Sequence, residues 1–104
     1  MNYVALFFAG AFLCNSIPHL CAGLQGMPFP TPFAKPRGVG NSSALINFLW
    51  GGFNIGVGLY LLSNHPLAIG PNPECLALAV GAIAIGIYLA VHFGKVRQGK
   101  TGSA

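Results

Sequence analysis

Three long apolar runs dominate the pattern of hydrophobic and polar positions along the chain. They cover about residues 2–25, 42–63 and 75–94. A helix rises about 1.5 Å per residue and needs about 20 residues to cross a hydrocarbon core about 30 Å thick, and each run meets this length. No segment shows the two-residue period of a strand, and an open sheet could not span lipid. We therefore predict an all-α fold, a single transmembrane bundle of three helices.

Prolines and polar residues interrupt and separate these runs. Pro18 lies inside the first run and removes one helical hydrogen bond, so we predict that the first helix is kinked at this residue. Residues 26–41 contain four prolines, which favour extended geometry over helix. Phe29 and Phe33 in this loop are expected to pack at the membrane surface or against the helix ends. The short polar tail, residues 98–104, is predicted to be disordered.

All the basic residues fall on one side of the three runs. They are Lys35, Arg37, Lys95, Arg97 and Lys100. Basic residues favour the cytosolic side of a membrane. We therefore predict that the N-terminus lies outside, and that the loop of residues 26–41 and the C-terminus lie in the cytosol. Glu74, the only acidic residue, would then lie outside.

The composition also indicates a membrane protein. Only 6% of the residues are charged and 54% are hydrophobic, whereas a soluble domain has roughly 25% charged residues. The net charge of +4 does not indicate nucleic-acid binding, because the basic residues are few, lack interleaved aromatic residues and flank apolar runs. The lipid bilayer is the expected partner. Cys14, Cys21 and Cys75 are expected to be unpaired, buried thiols.

Polar residues mark one face of the second helix. Asn47 and Asn54 are seven residues apart, with Trp50 between them on the same face. Two amides at membrane depth should face protein and not lipid. One interpretation is that they join helices, with Gly52 and Gly56 allowing close backbone approach. The other is that they line a site for a polar ligand or an ion.

The first helix carries a matching polar pair, Asn15 and His19, which are four residues apart. Lipid offers no partner to polar groups, so those at one depth on adjacent helices should face each other. Because the helices are antiparallel, we predict that His19 reaches Asn47 and that Asn15 lies nearer Trp50 or Asn54. These five residues form the candidate site, either as a structural cluster or as a ligand site.

Tyr88 and His92 on the third helix are secondary candidates, since they are four residues apart and share a face. His19 and His92 lie at similar predicted depths, which is the minimum requirement for a haem b with two histidine ligands. We considered haem on this basis but expect no cofactor. Glu74 is the only carboxylate side chain, and no common catalytic motif occurs, so we predict neither catalytic residues nor a metal site.

Three strings of the sequence resemble a group of small bacterial membrane proteins that has no assigned function. The strings are Asn15-Ser16-Ile17-Pro18-His19, Pro28-Phe29-Pro30-Thr31-Pro32-Phe33 and Asn47-Phe48-Leu49-Trp50-Gly51-Gly52-Phe53-Asn54. The similarity covers about residues 10–62. It implies a bacterial membrane protein and carries over no ligand, partner or reaction.

Our leading prediction is a non-enzymatic bacterial inner-membrane protein that self-associates or serves as an accessory subunit of a larger membrane complex. Small residues on the second and third helices invite further helix contacts. The alternatives are a binder or carrier of a small polar or lipid-like ligand, an oligomeric channel lined by Asn47 and Asn54, and a haem protein or other membrane enzyme that uses His19 and His92. A dry polar stripe would favour the first function, and a water-filled cavity the ligand binder or the channel.

Overall fold

Three long helices make up most of the computed structural model, which describes residues 2–101. Helix α1 covers Tyr3–Leu24, α2 covers Ala44–Asn64 and α3 covers Pro73–Thr101. Each is long and apolar enough to cross a membrane. The prediction of an all-α bundle of three membrane-spanning helices is therefore confirmed.

Helix α1 is the central helix of the bundle. It packs against both α2 and α3, which hardly touch each other. Glycines allow the close approach of α1 to α3, because a methyl group built on Gly10 would overlap the carbonyl of Leu78 and one on Gly81 would overlap the carbonyl of Phe7. The bundle is therefore a layer of three helices, in which α1 alone is flanked on two sides.

The α1–α2 contact uses different glycines from those predicted. A Cβ atom on Gly51 would lie 2.8 Å from the Leu20 side chain, and one on Gly58 would lie 2.7 Å from that of Leu13. A Cβ atom on Gly52 or Gly56 would meet no atom within 4 Å. The prediction that Gly52 and Gly56 give close approach within the chain is wrong, because they lie on the side of α2 that faces away from α1.

Helix α3 extends beyond its predicted end near Gly94, as far as Thr101. The residues after Gly94 include no proline, and Lys95, Arg97 and Gln98 are good helix formers. The prediction of a disordered tail is therefore wrong for the backbone of residues 98–101, and its remainder, residues 102–104, lies outside the described residues. Helix α1 continues as one helix through Pro18, and the kink that we predict at this residue stays a prediction.

The connection between α1 and α2 folds back on itself. Strand β1, Phe29–Pro30, pairs antiparallel with β2, Asn41–Ser42. The two hydroxyl groups of Thr31 and Ser42 are hydrogen-bonded at 2.5 Å beside this pairing. Prolines exclude helix from the loop without excluding a short strand at its edge. We call the end of the bundle that contains this connection and the last turns of α3 the basic end, since it contains all five lysine and arginine residues.

The three cysteines are free, as predicted, but they are not buried. Cys14 and Cys75 are half-buried and Cys21 is exposed. The prediction of buried thiols is wrong because the three helices form a single layer, which leaves much of the surface of each helix, α1 included, open to the surroundings. In a membrane, lipid covers such a surface.

Candidate functional site

Asn47 is the centre of a buried hydrogen-bond cluster at the basic end. Its side chain is fully enclosed, with 0% exposure. Its Nδ2 group lies within hydrogen-bond distance of the carbonyls of Phe29 at 2.9 Å, Ser43 at 3.0 Å and Ser42 at 3.2 Å. These acceptors fix the orientation of the amide, so Oδ1 must be the atom that accepts from Nδ1 of His19 at 2.7 Å. The predicted contact between His19 and Asn47 is confirmed.

Asn54 forms the second polar link between α1 and α2. Its Oδ1 accepts from Nδ2 of Asn15 at 2.9 Å, and its Nδ2 donates to the carbonyl of Trp50 at 2.8 Å. Its side chain is 1% exposed. Asn15 therefore lies beside Asn54, as predicted, and both amides of α2 face protein.

Trp50 is fixed by ring packing. Its ring lies perpendicular to that of Phe33, with centroids 5.0 Å apart, and is stacked on Phe53 at 5.6 Å. Within residues 2–101, its Nε1 is the only fully buried polar side-chain atom without a hydrogen-bond partner. The hydrogen-bond partner that a buried indole N–H requires is therefore not supplied by the described residues.

His92 joins α3 to the connection between α1 and α2. Its Nε2 donates to the carbonyl of Gly38 at 2.8 Å, and its ring is stacked on Tyr88, with centroids 5.7 Å apart and planes at 3°. The prediction that Tyr88 and His92 share a face is confirmed. A carbonyl oxygen can only accept, so the hydrogen of a neutral His92 is on Nε2 and its Nδ1 is an acceptor.

A cavity of about 140 Å³ brings candidate residues from all three helices together. We call it the histidine cavity. It is lined by Asn15, His19, Trp50, Tyr88 and His92, with Leu89, Phe93 and the loop residues Pro30, Thr31, Pro32 and Gly38. Asn47 and Asn54 do not line it. They hold its walls in place, which corrects the prediction that they line a ligand site.

The two histidines bring hydrogen-bond acceptors to the histidine cavity. His19 donates through Nδ1 and His92 through Nε2, so His19 Nε2 and His92 Nδ1 are left as acceptors. The Phe93 ring contacts both imidazoles, at centroid distances of 6.3 and 5.2 Å. A porphyrin fits neither between these rings nor in this volume. Among residues 2–101, no group of three or more His, Cys, Asp or Glu residues could hold a metal ion.

A second cavity, of about 230 Å³, lies between the same loop and the last turns of α3. We call it the basic pocket. It is lined by Asn41, Arg97 and Lys100, with Pro28, Phe29, Pro30, Phe93 and Val96. Sequence reasoning used Arg97 and Lys100 for topology only. These two residues are three apart and would share one face of a helix. The signal was missed because the third helix was predicted to end near Gly94.

Comparison with known proteins finds no relative of this chain. No family model, no curated protein and no solved structure matches the chain. The resemblance to small bacterial membrane proteins therefore stays a prediction.

Proposed function

We propose that this chain is a small bacterial inner-membrane protein without enzymatic activity, which self-associates through α2 or docks there as an accessory subunit. One observation carries the proposal. Gly52 and Gly56, one turn apart, present bare backbone on the outward face of α2, with no atom of the chain within 4 Å of an added Cβ. Two glycines at this spacing let a second membrane helix approach closely enough for backbone contact.

The residues around these glycines suit a helix partner. Leu49 and Phe53 beside them are 56% and 58% exposed. The two glycines form a shallow groove, and the large apolar side chains beside them form ridges along it. A second copy of α2 can therefore pack its ridges into this groove. Lipid solvates apolar side chains as well as protein does, so shape complementarity at the glycines would supply the specificity.

The enclosed polar stripe also favours this function over a channel. Asn47 and Asn54 are fully buried and hydrogen-bonded within one chain. A pore needs polar groups that face water. The Asn47 and Asn54 amides could face water only if the contact between α1 and α2 were broken. The burial of both amides therefore supports a role for them in packing between helices.

Replacing both Gly52 and Gly56 with leucine should convert an assembly into monomers while leaving the fold intact, because the new side chains enter open space. The mass of the detergent-purified protein measures this, and we expect the dissociation constant to rise at least tenfold. Leucine at Gly94 and Gly99 of α3, where a Cβ also meets nothing within 4 Å, is the matched control. Unchanged assembly in the Gly52 and Gly56 variant would contradict self-association through this face.

A second candidate function, binding of a small polar ligand, has the histidine cavity in its favour. His19 Nε2 and His92 Nδ1 offer acceptors to a hydroxyl or amine group. The same mass measurement tests it: wild-type protein should retain an added mass that His19→Gln loses. His65→Gln is the control, because His65 follows α2 at the end opposite the cavity. A wild-type mass equal to that of the bare chain would exclude retained ligand.

We propose an orientation with the N-terminus outside and the basic end in the cytosol. The support is that Lys100 Nζ donates to Asn41 Oδ1 at 2.8 Å, so the charged loop and the charged helix end share one side. A periplasmic phosphatase fused at Ala104 should be inactive, and a fluorescent protein that folds only in the cytosol should be active. The reverse pattern would overturn this orientation.

A further inference from the structure

The basic pocket points to a lipid ligand. We propose that it binds the phosphodiester headgroup of an anionic phospholipid, with Arg97 and Lys100 facing the phosphate and Phe29 and Phe93 beneath the glycerol. This inference does not depend on self-association through α2. It rests on the composition of the pocket, its charge surroundings and its depth in the membrane.

The composition of the pocket matches an amphipathic anion. Arg97, Lys100 and Asn41 form its polar wall, and Lys100 Nζ uses one of its three hydrogens on Asn41 Oδ1. The rest of the lining is apolar, and it includes the rings of Phe29 and Phe93, whose centroids are 4.7 Å apart. A guanidinium and an ammonium group beside an amide are good partners for phosphate oxygens.

The charge surroundings favour an anion at this place. The chain has five lysine and arginine residues, all at the basic end, and one acidic residue. That residue, Glu74, lies in the first turn of α3, at the far end of the helix from Arg97 and Lys100. Within residues 2–101, no carboxylate side chain therefore lies at the pocket, and its two cationic side chains favour an anion.

The depth of the pocket selects a lipid over a free anion. Helix α3 has 29 residues, which span about 44 Å at about 1.5 Å per residue. The hydrocarbon core is about 30 Å thick, so the last turns reach the headgroup layer. Basic pockets at this level of a membrane protein are typical sites for acidic lipid headgroups. The apolar floor of Phe29, Phe93 and Val96 offers a surface that inorganic phosphate would not use.

The test compares two double variants that each remove two positive charges. Arg97→Gln with Lys100→Gln changes the pocket, whereas Lys35→Gln with Lys95→Gln changes exposed residues that do not line it. Native mass spectrometry of the full chain counts bound dioleoyl phosphatidylglycerol, with dioleoyl phosphatidylcholine and inorganic phosphate as separate probes.

We expect the pocket variant to bind phosphatidylglycerol at least about 25-fold more weakly than wild type, because it removes both cationic hydrogen-bond donors that face the phosphate. The control variant should lose fivefold or less, and phosphatidylcholine should bind weakly to all three proteins. Equal losses in the two variants would show diffuse attraction and overturn the site. Inorganic phosphate that binds as tightly as the lipid would overturn the lipid assignment. Helical circular dichroism checks that each variant is folded.

Discussion

Replacing Gly81 with alanine should lower the stability of the bundle by about 3 kcal/mol or more, the largest effect that we expect from any single methyl group. The added Cβ would overlap the backbone carbonyl of Phe7, which has no rotamer to change. Helices α1 and α3 would have to move apart, and contacts along the whole crossing would weaken. Unfolding in a titration of mixed micelles with sodium dodecyl sulfate, followed by helical circular dichroism, measures the loss.

Gly86→Ala is the matched control for Gly81→Ala. Gly86 lies on the same helix, and the nearest atom to an added Cβ is the Cys14 sulfur at 3.6 Å, an ordinary contact. Both variants change backbone entropy and helix propensity in the same way, so the difference between them isolates the steric term. Similar stabilities for the two variants would mean that α1 and α3 do not cross at Gly81.

Asn47→Ala should lower the free energy of unfolding by about 2–4 kcal/mol. The change leaves His19 Nδ1–H without its acceptor and removes the donor shared by the carbonyls of Phe29, Ser42 and Ser43. A buried polar group that loses its partner costs about 1–3 kcal/mol. The loop should also loosen, because its hydrogen bond from Asn47 Nδ2 to the Phe29 carbonyl is lost. Denaturant titration and the rate of proteolysis within the loop measure the two effects.

Asn54→Ala provides the comparison for Asn47→Ala, since it deletes the same group on the same helix. Besides the bond to the Trp50 carbonyl within α2, it removes only the acceptor of Asn15. Asn15 is half-buried and lines the histidine cavity, so water can replace the lost partner. We expect a loss of about 1 kcal/mol and no change in proteolysis of the loop. Equal effects in the two variants would refute the central role of Asn47.

The apolar run lengths in the sequence determined the three helices, because only a helix satisfies its own backbone across lipid. The polar pairing followed from the same physics. His19, Asn15, Asn47 and Asn54 interrupt apolar runs at matching depths, and lipid offers none of them a partner. The order of an antiparallel helix pair then matched His19 to Asn47 and Asn15 to Asn54.

The tertiary structure alone decided which glycines face inward and what the loop and the end of α3 build together. Gly51 and Gly52 are adjacent glycines, yet an added Cβ atom would contact Leu20 at Gly51 and no atom within 4 Å at Gly52. Only the position of α1 distinguishes these two sides of α2. The histidine cavity and the basic pocket also depend on contacts between residues far apart in the chain, such as His92 with Gly38 and Lys100 with Asn41. Periodicity describes one helix at a time, whereas these sites exist only where the loop meets one or more helices.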